Sequence, residues 1–175
     1  VLFGGWTTPN TYHSDTWVWD GSPSGWVLQT PGARPAARRG HVMVYDDARG
    51  RTVVCGGNLA GQVLNADTWE WDGVRWANRA PVLAPPVRTG HAMAFDLVRG
   101  KVLLFGGEDL LAQARNDLWE WNGVNWAQVA TPLAPPAGAR GGRPRRLRRL
   151  RHRPPRGRPG PRRCAPRRPA RRPAT

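Results

Sequence analysis

The stretch Lys101-Val102-Leu103-Leu104-Phe105-Gly106-Gly107, followed by Asp117-Leu118-Trp119-Glu120-Trp121-Asn122-Gly123 and then by Trp126, decides how this chain is read. Its apolar run has the length of a strand covered on both faces, and it stops at paired glycines that allow a tight exit. Trp119 and Trp121 stand two apart, so an extended backbone puts them on one face, with Leu118 and Glu120 on the other. Asn122-Gly123 is a hairpin signal, and Trp126 opens the strand behind it. Ahead of the stretch, Thr89-Gly90-His91-Ala92-Met93-Ala94-Phe95-Asp96 reads as another strand, turned at Gly100. Helical periodicity is absent. The unit is four short antiparallel strands.

The same block, about fifty residues long, is written nearly three times. Gly4-Gly5, Gly56-Gly57 and Gly106-Gly107 close the apolar strands, and Asp15, Asp67 and Asp117 precede the Trp-x-Trp strands. Trp17, Trp69 and Trp119 begin those strands, and Trp26, Trp76 and Trp126 begin the last ones. His41 and His91 stand at equivalent places behind a glycine. Pro-rich stretches, residues 80–86 and 131–136, cross from one unit to the next, as suits a residue that cannot extend a sheet ladder. Repeats in register build an architecture in which each unit buries its apolar face against its neighbours.

Four elements together, Arg/Thr-Gly-His before an apolar strand, the run into Gly-Gly, Asp-x-Trp-x-Trp-Asp/Asn-Gly, and the following Trp, resemble the kelch repeat family. The resemblance covers residues 1–136, with repeats near 1–30, 39–80 and 88–130. It implies an all-β, partial kelch-type β-propeller of about two and three-quarter four-stranded blades. Cys55 stands where an aromatic is expected, and the Trp19–Trp26 spacing is longer than its counterparts. A closed propeller has about four to eight blades, so this stretch is expected to belong to a longer propeller with blades on both sides.

Composition divides the chain. Residues 1–136 carry 11 Lys and Arg against 12 acids, and hold all ten Trp. Residues 137–175 carry 16 Arg, no acid and eight Pro, and cannot build a core. A disordered Arg/Pro-rich tail is expected there. It is read first as a frameshift product, because 34 of its 39 residues are Arg, Pro, Ala or Gly, the mixture a GC-rich gene yields out of frame. GC richness also suggests a bacterial source. A genuine tail would bind nucleic acid through phosphates with steep salt dependence, but no aromatic ring is interleaved to stack on bases. Cys55 and Cys164 form no disulfide framework, the compartment is not fixed, and no run is long and apolar enough to span a membrane.

The repeated His and Asp could be read as general bases or an acidic pair. Recurrence at one place per unit favours a structural role instead, with His bonding backbone between blades and Asp accepting backbone N–H groups at a turn. The loops after Gly-Gly differ most between copies, and variable loops on a rigid scaffold are where binding usually resides. Trp6, outside the repeat pattern, with Tyr12, Asn58, Glu108 and Asp109, are therefore the candidate ligand-loop residues. No catalytic residue, cofactor or metal is expected. The first reading is a non-enzymatic binding scaffold with a protein partner, a glycan being possible. The alternatives are the non-catalytic portion of a propeller enzyme of the galactose-oxidase-like or sugar-processing kind, and a propeller with a nucleic-acid-binding tail. The copper-radical chemistry of the former needs a Cys cross-linked to Tyr, and Tyr12 and Tyr45 have no plausible Cys neighbour.

Overall fold

A computed structural model describes residues 1–23 and 25–137. The Arg/Pro-rich tail, 137–175, and the disorder expected of it fall outside the described residues apart from Ala137. The strands, in order, are β1 (Leu2–Thr7), β2 (Thr11–Trp19), β3 (Trp26–Gln29), β4 (Arg38–Arg39), β5 (Val42–Asp46), β6 (Arg51–Cys55), β7 (Asn58–Leu59), β8 (Val63–Leu64), β9 (Thr68–Trp71), β10 (Trp76–Asn78), β11 (Ala92–Asp96), β12 (Lys101–Phe105), β13 (Leu118–Trp121) and β14 (Trp126–Val129). A short 3₁₀ turn, Ala60–Gln62, is the one helical element among the described residues.

The fold is all-β and partitions into blades. The first is three-stranded, in the order β1-β2-β3; the second is β10-β9-β6-β5; the third is β11-β12-β13-β14. All pairings are antiparallel, and the register repeats. Val54 lies opposite Trp69 and Leu104 opposite Trp119; Val53 lies opposite Glu70 and Leu103 opposite Glu120. The hairpins turn at Gly73 and Gly123, both at positive φ, as Asp-Gly and Asn-Gly predict.

The core lies in the two seams between blades. In the seam between the second and third blades, Trp119, Trp121 and Trp126 pack with Val102 and Leu104 against Val53 and Cys55. In the seam between the first and second, Trp71 and Trp76 pack with Val54 against Phe3, with Val18 and Met43 at the edge. Each sheet thus lays its Trp face on the opposite face of the sheet before it. Indole N–H groups cross both seams: Trp76 Nε1 donates to Thr16 Oγ1 (2.8 Å), and Trp126 Nε1 donates to Thr68 Oγ1 (2.9 Å). A buried indole needs such an acceptor, and the Thr of Asp-Thr-Trp supplies it.

Where the sequence places loops after Gly-Gly, the backbone keeps pairing. In the first copy β1 runs on through Gly4-Gly5, with a register shift between Phe3 and Gly5, and forms a hairpin in which Trp6 faces Tyr12 and Thr7 faces Thr11. In the second copy β7 pairs with β8 and with β4, making a small sheet of order β4-β7-β8. In the third copy the same arrangement survives as the bridges Thr89–Glu108 and Glu108–Ala114. Positive φ at Gly57 and Gly107 turns the chain back, and a side chain there would collide with the backbone around His41 or His91.

Candidate functional site

The second and third blades are each locked at the Gly-Gly end by a group the sequence reading did not single out. Arg38 and Arg88, both fully buried, send guanidinium forks to Asp67 and Asp117. Arg88 Nη1 lies 2.7 Å from Asp117 Oδ1, and Arg88 Nη2 lies 2.8 Å from Oδ2. Arg38 Nη2 lies 2.8 Å from Asp67 Oδ2, with Nη1 on Oδ1. The same guanidiniums donate to the carbonyls of Gly56 (3.1 Å) and Gly106 (2.9 Å). Asp67 Oδ2 and Asp117 Oδ2 also accept the indole N–H of Trp69 (2.8 Å) and Trp119 (2.7 Å). The carboxylates are held by Arg and indole side chains, where the sequence suggested backbone N–H partners. Burial pushes the Asp117 carboxyl up, but Arg88 and Trp119 outweigh it and hold it below the ordinary carboxylate range. The signal was present in the sequence: Arg38 and Arg88 recur in register, each the same distance ahead of its Asp.

Asp15 keeps the indole bond, from Trp17 Nε1 at 2.5 Å, but meets no Arg among the described residues, and its Oδ1 is buried without a partner among them. Trp26 departs from its counterparts for a related reason. It is 48% exposed where Trp76 is 3% and Trp126 1%, because among the described residues no sheet covers the Trp face of the first blade.

The His residues sit inside the seams. His41 Nε2 is 3.1 Å from the Phe3 carbonyl oxygen of the neighbouring blade. Burial first, then Arg38, lowers the His41 pKa to about 4. Burial, Arg88 and His41 lower that of His91 to about 4. Both are neutral at neutral pH and enclosed, which suits a packing role better than proton transfer. Cys55 is buried, and desolvation pushes its thiol up to about 12. No group of three or more His, Cys, Asp or Glu among the described residues is arranged to hold a metal ion, and no described helix is long and apolar enough to cross a membrane.

A second buried carboxylate was read only as a strand face. Glu70 Oε1 accepts Arg49 Nη1 (2.5 Å) and the Trp121 indole N–H (2.8 Å), and Oε2 accepts Arg79 Nε (2.7 Å). Burial raises the Glu70 pKa, but Trp121, Arg49 and Arg79 together bring it below the ordinary value. Glu120 repeats the arrangement with Arg99 and with Lys101 (2.9 Å).

The candidate ligand-loop residues divide. Trp6 and Tyr12 come together across the first hairpin, and the Arg39 guanidinium lies over both rings, 4.9 Å from the Trp6 centroid and 5.6 Å from that of Tyr12. Trp6 is 47% exposed. Beside them Asn10, Tyr12, Arg39, Ala60, Gly61 and Gln62 line a cavity of about 230 Å³. Arg39 belongs to β4 and so carries the second blade's small sheet to the first blade's hairpin. Asn58 lies in β7, paired with Arg39 of β4, and its Oδ1 is buried and unpartnered among the described residues. Asp109 is spent on its own loop: Oδ1 accepts the N–H groups of Leu111 and Gln113 (both 2.9 Å), and Oδ2 accepts Arg115 Nη2 (2.8 Å). Glu108 is held in the bridge to Thr89 and Ala114, away from Trp6 in sequence and in a different blade.

Comparison with known proteins follows this geometry. The KLHDC2/KLHL20/DRC7 Kelch-repeats domain matches residues 1–143. No curated protein sequence matches the chain. Among solved structures, 78 chains match. The structure of YjhT is similar to this fold with a TM-score of 0.58 at 18% sequence identity, over 77% of this chain and 49% of that one. This chain therefore spans about half the length of that structure. Such a repeat fold supports a generic scaffold or binding role.

Proposed function

We propose, from the premise that the chain belongs to the kelch-repeat family, that it is a non-enzymatic interaction scaffold that holds a protein partner on the surface built by Trp6, Tyr12 and Arg39. The observation that carries this reading is the Arg39 guanidinium resting on two aromatic rings at the mouth of a cavity. Trp, Tyr and Arg are the residue types that dominate binding energy at protein interfaces, because each offers large contact area or a rigid donor fork at low entropic cost. Stacking on rings also fixes the guanidinium in advance, so little freedom is lost when a partner's carboxylate or carbonyl meets it. Trp6, Tyr12 and Arg39 stand on strands β1, β2 and β4, as suits a recognition surface.

The test is quantitative capture of interacting proteins by the intact chain and by Trp6→Ala and Arg39→Ala variants, with circular dichroism to verify folding. Loss of the same captured proteins in both variants supports the reading. Unchanged capture by both refutes it. Glycan binding is tested in parallel by quenching of Trp fluorescence with a panel of oligosaccharides. Saturable quenching that disappears in Trp6→Ala would replace the protein partner by a carbohydrate.

A further inference from the structure

Arg38 and Arg39 are neighbours on β4, so they project to opposite sides of it. Arg38 enters the clamp on Asp67, and Arg39 lies over the rings of Trp6 and Tyr12. The two differ in charge balance. Every described Arg meets a carboxylate except Arg34 and Arg39. Arg34 is exposed on the connector, where water solvates its charge, whereas Arg39 is half-buried. Half-burial of a cation with no counter-charge is costly, and ring faces offset only part of that cost. Packing of the blades does not require the arrangement. In the next copy the places of Trp6 and Arg39 are taken by Asn58 and Thr89, which carry neither ring nor charge. There Thr89 Oγ1 donates to the Gly40 carbonyl at 3.2 Å, and Thr89 still bridges to Glu108. The cavity beside Arg39 suits a single negative charge. Its lining supplies one cation, Arg39, the side-chain amides of Asn10 and Gln62, the Tyr12 ring, the small residues Ala60 and Gly61, and no acid.

We infer that this surface selects its partner protein by a side-chain carboxylate, a Glu or Asp within the partner's chain, which enters the cavity and pairs with Arg39. The inference rests on the Trp6–Tyr12–Arg39 reading proposed above and names the chemistry that this reading leaves open. A guanidinium whose face lies on rings keeps its N–H edges for an acceptor, and a carboxylate takes two of them in parallel. The geometry is set in advance: β4 pairs with β7, and Trp6 faces Tyr12 across its hairpin. Little freedom is then lost on binding. Asn10 and Gln62 carry amide donors for the carboxylate lone pairs that remain. One cation balances one carboxylate, whereas a phosphate, with about two negative charges at neutral pH, would leave charge unmatched. An apolar or cationic side chain at the same place would bury Arg39 without a partner, which is how the site rejects it.

The probe is an array of short random peptides, acetylated and amidated at their ends so that side chains carry the only carboxylates. Each peptide with a Glu or Asp is printed beside its Gln or Asn twin and a phosphoserine twin. The full chain is applied, then the Arg39→Gln, Trp6→Ala and Arg75→Gln variants, each verified by circular dichroism. Arg75→Gln removes an equal charge from an exposed side chain of the second blade's hairpin. Bound peptides are expected to carry an acid, and their amide twins to bind about tenfold more weakly or worse. Arg39→Gln should bind acid and amide twins alike, whereas Arg75→Gln should keep the full preference. If Arg39→Gln does not fold, Arg39→Lys replaces it: the charge stays, the fork is lost, and the preference should fall severalfold. Equal binding of acid and amide twins by the intact chain, no peptide bound, or equal loss in Arg39→Gln and Arg75→Gln would overturn the carboxylate assignment. Tighter binding of the phosphoserine twins would overturn it too. The surface itself survives those outcomes if Trp6→Ala and Arg39→Ala still lose the captured proteins. Peptides bound equally well by the intact chain, Trp6→Ala and Arg39→Gln would remove the surface as well.

Discussion

Trp26 and Trp126 occupy the same place in the repeat, yet one lies open to solvent and the other is sealed between sheets. Asp15 and Asp117 differ in the same way: both hold a Trp indole, and only Asp117 holds an Arg. The residues are alike and the neighbours are not. A repeat residue therefore has no fixed energetic worth of its own; its worth is set by the blade stacked upon it.

The sharpest way to test that contrast is to truncate the paired Trp residues. Trp126→Ala should cost about 3–5 kcal/mol, since it empties a sealed seam and abandons the Thr68 hydroxyl. Trp26→Ala should cost roughly 1 kcal/mol or less, because an exposed ring leaves no cavity. Urea unfolding of both variants measures the difference, and equal costs would break the comparison.

The clamps give the next contrast, of nearly the same size. Arg88→Ala leaves Asp117 and the Gly106 carbonyl without their buried donor and should destabilise by about 3–5 kcal/mol. Asp15→Asn removes a charge that has no cation partner and should be close to neutral. A large loss from Asp15→Asn would mean that its carboxylate carries a role unlike that of its counterparts.

Protonation probes both seams at once. His41 and His91 have folded pKa values of about 4 against 6.5 for the free side chain, so the unfolded chain takes up protons first as pH falls. The stability they lend is whole above pH 6.5 and is lost as pH falls toward and through 4. Roughly 3 kcal/mol per His is at stake. Denaturation midpoints measured at stepped pH should fall across that window. His91→Gln, if it folds, should flatten the slope by about half. The carboxylates Glu70, Asp117 and Glu120, whose pKa values are lowered, add their own loss only at more acidic pH.

The smallest expected effect on stability is at the recognition surface. Trp6→Ala should change unfolding free energy by less than about 1 kcal/mol, since the ring is half exposed, while abolishing partner capture. A variant that bound normally would shift attention from this hairpin to the other blades.

The fold was legible because backbone periodicity and turn chemistry are local. Lys101–Phe105 is a strand over the residues its apolar run marks out, and β10 and β14 begin at Trp76 and Trp126 as read. The polar locks were less legible, because a charged residue in an amphipathic strand reads by default as a solvated face. Glu70 and Glu120 are buried instead, since a blade is covered on both sides. Recurrence would have revealed them: a charge kept in register, with Arg at fixed distance, is not a solvated accident. The hairpin of Trp6 and Tyr12 escaped because Gly-Gly normally ends a strand, and in the first copy a register shift lets the strand continue. Arg39 escaped because it reaches its rings across a blade boundary, and that meeting is a property of the stack.

Val18 and Glu70 stand at the same repeat position on successive seams. Trp121 finds a carboxylate there, and the Trp71 indole N–H, facing the blade that carries Val18, is buried with no partner. Both seams are apolar at heart, and the second carries a buried carboxylate bond in addition. Chilling weakens apolar attachment, whereas added electrolyte screens exposed charges and touches buried ones such as Glu70 far less. Both joints should therefore weaken in the cold, the second keeping the hold that its Glu70–Trp121 bond supplies.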